Sequence, residues 1–206
     1  MKRASLYIIP ILFLAVSCKK AAPQMFTKDS YPMAVGNWWQ YMIIDCTGGL
    51  DTFTLNTVSV TDFASYKDFK CNFVYHNNVT GSGDFIQSDT SISFVNRGNA
   101  YFSIFPDFHI RFPVYTGQYW AGTFKGDSIR VVGVTDPCGG FGHIYGPCYS
   151  TVESYILPHN FLVSNKLLTP KIGMISGSTD FKSDTANGFG INTCQTVYLI
   201  NYHIEE

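Results

Sequence analysis

Residues 31–41 read Tyr31-Pro32-Met33-Ala34-Val35-Gly36-Asn37-Trp38-Trp39-Gln40-Tyr41, a glycine–asparagine turn set directly before an aromatic run. Glycine supplies the positive φ that such a turn needs and strong β-formers follow it, so the pattern predicts a first strand over Trp38 to Asp45. Working outward, further strands are expected over Thr52 to Val60, Lys70 to His76, Ser91 to Val95, Ala100 to Phe105, Ser128 to Val134, Thr151 to Leu157 and Thr193 to His203. Several alternate as half-buried strands do. Phe53 and Leu55 oppose Thr52 and Thr54, while Cys194, Thr196, Tyr198 and Ile200 oppose Gln195, Val197 and Leu199. Turn signals stand at Thr47-Gly48-Gly49, Asn77-Asn78, Gly81-Ser82-Gly83, Arg97-Gly98-Asn99, Thr116-Gly117 and Asp180 to Gly190. A weak helix signal spans Thr61 to Phe69, where Asp62 could cap and Phe63, Tyr66 and Phe69 fall three apart. Short strands at this spacing give a mainly β fold, a single antiparallel β-rich domain built as a twisted sheet, a sandwich or an incomplete barrel.

Ahead of that domain the composition changes. Met1-Lys2-Arg3 is basic, Leu6 to Val16 is apolar, and the small residues Ala15 and Ser17 precede Cys18, which is the layout of an exported signal. The apolar run is shorter than the ~20 residues a spanning helix needs, contains Pro10 and is followed by Lys19-Lys20. A cysteine directly after Leu14-Ala15-Val16-Ser17 resembles the bacterial lipobox, in which the Cys18 thiol would carry diacylglycerol. One acyl chain holds a protein only marginally, so a diacylated and N-acylated Cys18 is what would keep the domain on a membrane. The expected organisation is a signal peptide over 1–17, a lipidated tether over 18–30 and the β-rich domain over 31–206. Lys19 to Asp29 lacks periodicity and is expected to be extended and to contact little.

Processing removes Lys2 and Arg3, which takes the net charge from −1 to −3. The lysines and arginines are mostly scattered singly, so neither nucleic acid nor an anionic lipid surface is suggested as a partner. The 46% hydrophobic and 16% aromatic content is enough for one domain with a substantial core.

With Cys18 taken by lipid, Cys46, Cys71, Cys138, Cys148 and Cys194 remain in a compartment that allows disulfides, and an odd number leaves at least one thiol free. Cys138 with Cys148 is the first candidate pair, because the loop between them is rich in glycine and gains most from a constraint on its open states. Cys46 with Cys71 or with Cys194 comes next; spacing alone does not decide connectivity.

The front and the rear of the domain resemble a family. The opening over Tyr31 to Tyr41 looks like the start of small outer-membrane lipoproteins of the Bacteroidota, and Thr169-Pro170-Lys171-Ile172-Gly173-Met174-Ile175 and Val197 to Tyr202 are similar to their rear segments. The resemblance implies an outer-membrane, lipid-anchored placement and a β-rich fold, and it carries no catalytic residue. Members displayed at the cell surface often have acidic residues after the cysteine, whereas this chain has Lys19-Lys20, which favours a face toward the periplasm.

Catalytic signals are sparse. Gly126-Asp127-Ser128-Ile129 resembles the nucleophile block of GDSL-type esterases, but no Asp-x-x-His block exists to supply the base and the orienting acid. Cys138, His143 and Cys148 could be three metal ligands with His159 as a fourth, against which stands a disulfide between the same sulfurs. Glu153 is the sole glutamate before Glu205-Glu206, and the aspartates occupy turn-type positions, so the facing carboxyls of a glycosidase are not evident. No cofactor and no metal is expected.

Aromatic residues are the chain's excess. Most are expected to fill a β core; some could line a groove that takes a glycan or a hydrophobic ligand. The favoured place is Phe105 to Tyr115, where Pro106 and Pro113 suit an edge or a loop, with Phe105, Phe108, Phe112 and Tyr115 as ligand-binding candidates, partly exposed around a concavity. The sequence thus reads as a non-enzymatic, lipid-anchored envelope protein with a binding or structural role. A periplasm-facing carrier of lipid or another hydrophobic ligand is the alternative, and an unrecognised hydrolase the third reading.

Overall fold

The computed structural model describes residues 25–76, 78–97, 108–121, 128–157, 160–183 and 191–205. Fourteen strands are found among them: β1 (Trp38–Asp45), β2 (Leu50–Asp62), β3 (Tyr66–Tyr75), β4 (Asn78–Ser88), β5 (Ser91–Asn96), β6 (His109–Arg111), β7 (Tyr119–Ala121), β8 (Ser128–Thr135), β9 (Cys138–Gly140), β10 (His143–Tyr145), β11 (Cys148–Leu157), β12 (Asn160–Thr169), β13 (Gly173–Ser183) and β14 (Ile191–His203). Twelve form one antiparallel sheet in the order β6-β5-β4-β3-β2-β1-β14-β13-β12-β11-β8-β7, and β9 and β10 pair as a separate hairpin. The mainly β, antiparallel fold expected from the sequence is the fold observed.

The connection between β6 and β7 gives the sheet its shape. These strands are its two edges, yet only residues 112–118 join them. That link reaches at most about 28 Å, whereas the edges of a flat twelve-stranded sheet would stand about 50 Å apart. The sheet therefore curls into a nearly closed barrel. Across the seam Trp120 Nε1 on β7 donates to the His109 carbonyl on β6 at 3.2 Å.

Twelve strands enclose more than the roughly eight whose side chains fill a small barrel, so the inward positions call for large residues. Tyr41, Phe53, Phe73, Phe85 and Ile92 are fully buried, with Tyr41 stacked on Phe53 at 5.3 Å and Phe73 edge-on to Phe94 at 5.7 Å. The N-terminal segment fills the end of the barrel where β1 begins. Phe26 is 0% exposed, contacts the rings of Tyr31, Phe112 and Tyr149, and bridges Val114. One 3-10 turn follows over Lys28–Ser30. The packed body thus starts at Phe26 and not at Tyr31, which corrects the expectation of an extended, contact-poor stretch up to Asp29. A single large aromatic in an otherwise polar run found an open barrel end to fill. Cys18 and the rest of 18–24 lie outside the described residues.

The front and rear stretches that carried the family resemblance pack against each other. Lys171 N–H donates to the Ser30 carbonyl at 2.6 Å, Trp39 Nε1 to the Ile172 carbonyl at 2.7 Å, and the Tyr41 hydroxyl to the Met174 carbonyl at 3.0 Å. Gly173 has φ +95°, and a Cβ there would sit 3.4 Å from the Tyr31 ring. Asn37 joins the chain's two ends, donating to the Pro32 carbonyl at 2.7 Å and accepting from Glu205 N–H at 2.9 Å.

Several expectations change. The Gly81-Ser82-Gly83 turn lies inside β4, because a Cβ on Gly83 would fall 2.1 Å from the Phe94 ring; this glycine makes room for a neighbour instead of turning the chain. Thr61 to Phe69 forms the β2–β3 hairpin tip, with Phe63 N–H donating to the Tyr66 carbonyl at 2.9 Å, and not a helix. Strands β12 and β13 were not anticipated. The strand expected over Ala100 to Phe105 lies outside the described residues. Emptying the Phe26 site should cost about 3–5 kcal/mol; Phe26→Ala in the mature domain is expected to lower Tm by roughly 10 °C in a thermal melt.

Candidate binding site

Strand β2 is longer than the barrel wall. After a register shift between Thr57 and Ser59 its residues from Val58 to Asp62 are exposed on both faces, so the β2–β3 hairpin projects beyond the rim. Between this hairpin, the 28–33 segment and the β4–β5 turn lies an open groove of about 670 Å³. On the hairpin side, Phe63 and Tyr66 stack at 4.5 Å with an interplanar angle of 23°, and Phe63 is 48% exposed. On the other side Lys28 pairs with Asp89, and Gln87 Nε2 donates to the Lys28 carbonyl at 3.2 Å. The hydrogen bond from Lys28 holds the Asp89 carboxyl below its ordinary range, and the same bond holds the Lys28 ammonium above its own. Lys67 and Asp62, 3.4 Å apart, complete the rim. The arrangement offers a flat aromatic surface beside fixed charges and hydrogen-bonding groups, the combination that orients a polar ligand with one apolar face.

The ligand-binding residues favoured from sequence lie elsewhere. Segment 109–115 is indeed an edge strand followed by a loop, as the prolines suggested. Its aromatics, however, turn inward: Phe108 is 0% and Phe112 8% exposed, packed on Tyr31, Phe85 and Phe26. An edge strand on a curled sheet still has a covered inner face, which is why the expected exposure of Phe108 and Phe112 fails. Tyr115 is exposed, and Phe105 lies outside the described residues.

Cys138 and Cys148 form a disulfide with Cα atoms 5.8 Å apart, and Cys46 and Cys194 form a second at 5.2 Å. With its two sulfurs bonded to each other, the Cys138–His143–Cys148 metal set loses two ligands; His143 is exposed beside Tyr145, and His159 lies outside the described residues. Among the described residues Cys71 is the free cysteine, buried beside Thr57, and burial pushes its thiol up to about 12, so it is no nucleophile near neutral pH. Ser128 opens β8 and its hydroxyl pairs with Ser154 at 3.3 Å, in a strand context unlike that of an esterase nucleophile.

Sequence reasoning missed a buried polar cluster on the inner faces of β11, β12 and β13. Lys166 Nζ donates to Glu153 Oε2 at 2.9 Å and to Ser164 Oγ at 3.2 Å, and Thr179 Oγ1 donates to Ser164 Oγ at 3.3 Å. The Lys166 and Glu153 side chains are 3% and 2% exposed. The register explains the grouping, since Ser164 stands opposite both Glu153 and Thr179, and Lys166 stands opposite Thr151. Glu153, considered above as a lone carboxyl, is one half of an interior ion pair.

A twelve-stranded antiparallel barrel with a plugged end defines the class of fold. In that fold the chain is similar to a protein of Bacteroides fragilis described as exported and as having a YmcC-like fold, with a TM-score of 0.50 over 87% of this chain and 99% of that one at 12% identity. A protein of Parabacteroides distasonis described as a lipoprotein aligns over 86% of this chain and 99% of its own at 10% identity, with a TM-score of 0.43. No family model and no curated protein matches the sequence.

Breaking a buried pair from one side strands a charge in the interior. Glu153→Gln should therefore destabilise by about 3–5 kcal/mol, while replacing both partners by apolar residues of similar size, as in Glu153→Leu with Lys166→Met, should cost far less. Denaturant unfolding of the two variants distinguishes these outcomes.

Proposed function

We propose that this chain is a lipid-anchored protein of the bacterial envelope, at the outer membrane, that binds a glycan without catalysis in the groove between the β2–β3 hairpin and the N-terminal segment. The observation that carries the binding reading is the stacked, half-exposed Phe63–Tyr66 pair set in an open groove of about 670 Å³ with charged residues opposite. Sugar rings present an apolar face and a polar edge, which that pairing of surfaces would match. The anchor reading rests on the signal and on Cys18, and the description of a protein of like fold as exported supports it. The lysines after Cys18 favour the periplasmic face. A carrier of hydrophobic ligands would need internal room, and the cavity among Tyr31, Met33, Trp39 and Phe85, at about 10 Å³, gives it none at that place.

Two measurements test this. Cys18→Ala should shift the protein from the outer-membrane fraction to the soluble envelope fraction; continued sedimentation with membrane would sink the anchor reading. A thermal-shift and calorimetric screen of the soluble domain against envelope polysaccharide fragments should find a ligand whose affinity falls at least tenfold in Phe63→Ala with Tyr66→Ala, with little change in Tm. Unaltered affinity in that variant would place the ligand elsewhere.

A further inference from the structure

Because neighbouring strands run antiparallel, one end of the barrel gathers the β2–β3, β4–β5, β6–β7, β8–β11 and β12–β13 connections together with the N-terminal plug. Phe26 is fixed at this end through its bridge to Val114 in the β6–β7 link. Only residues 19–25 separate it from Cys18, a reach of at most about 28 Å. An acyl group on Cys18 therefore keeps this end, and not the opposite one, close to the bilayer.

Turns ordinarily carry glycine, proline, asparagine, aspartate and serine. Three connections at this end instead present large apolar side chains to solvent. Phe63 at the β2–β3 tip is 48% exposed, Tyr115 in the β6–β7 link 56%, and Ile144 in the β9–β10 hairpin, rooted between β8 and β11, 82%. They belong to three separate parts of the rim, and three points fix a plane.

We infer that, while the groove holds no glycan, this end of the barrel docks on the lipid surface itself, with Phe63, Tyr115 and Ile144 entering the headgroup layer and the barrel axis held upright. The inference rests on the anchor proposed above. The occupant is lipid because the short tether presents this end to a bilayer at high effective concentration, at which weak insertion by three side chains suffices. Lys28 and Lys67 at this end face Asp89 and Asp62, so apolar insertion and not attraction of these lysines to anionic lipid would drive the contact.

The test uses the acylated protein in vesicles of phosphatidylethanolamine and phosphatidylglycerol with brominated acyl chains. Tryptophan is placed singly at the near end, Phe63→Trp and Tyr115→Trp, and at the far end, Leu50→Trp and Val79→Trp; both far positions are already more than 60% exposed. Bromine quenching of the added fluorescence, relative to the parent with its native tryptophans, should be at least threefold greater at 63 and 115. Equal quenching at the two ends, or more at 50 and 79, overturns the docking. Intact-mass measurement and vesicle flotation separate the two levels: an acylated, floating protein without end preference refutes docking alone, while a protein without acyl chains that fails to float refutes the anchor and the docking together.

Discussion

A connection of seven residues between the two edges of a twelve-stranded sheet is the constraint on which this protein depends. It leaves the sheet no open form, and the closed form encloses a volume too large for aliphatic side chains to fill. Much of the high aromatic content meets that demand, with rings stacked or set edge to face across the interior. The same width leaves one barrel end to be stopped, and the N-terminal segment stops it with Phe26 and Tyr31. Even the small residues answer to closure: Gly83 lets the Phe94 ring lie flat against a neighbouring strand, and Gly173 admits Tyr31 beneath the β12–β13 turn.

The interior is chemically divided. Around β1 to β6 the inward side chains are almost wholly apolar, whereas β11 to β13 turn Thr151, Glu153, Ser164, Lys166 and Thr179 inward. A buried ion pair contributes little net stability, since desolvation offsets attraction. Its value lies in what it forbids. A one-residue slip of β12 against β11 would part Lys166 from Glu153 and turn Lys166 to the other face, so the pair pins the register of these strands.

How far the sequence could be read follows from this division. The span of β1 was legible to the residue from the glycine–asparagine turn before its aromatic run, and β2, β8 and β14 nearly so, because apolar and polar residues alternate there and closure buries one face. Strands β12 and β13 escaped notice because their inward residues are themselves polar, and alternation between serine, lysine and asparagine has no hydrophobic period to detect. Glycines in β4 imitated a turn, and three aromatics at the β2–β3 tip imitated a helical face. The pairing of Cys138 with Cys148 was visible in the short glycine-rich loop. The groove was not, since it is assembled from residues near 28, 63 and 88 that only the folded barrel brings together.

The first long strand lies between the second and the last: β1 pairs with β2 on one side and with β14 on the other, and Cys46 is bonded to Cys194 across 148 residues. A chain exported from its N-terminal side delivers β1 to the envelope first and β14 last. Hairpins β1 to β6 can zip up locally as they emerge, but β1 keeps one bare edge until β14 arrives, and an unpaired edge of that length is an aggregation hazard. The chain is thus most vulnerable just before β14 emerges, and a truncation that removed 195–206 would leave a barrel slit open along the seam between β1 and β14.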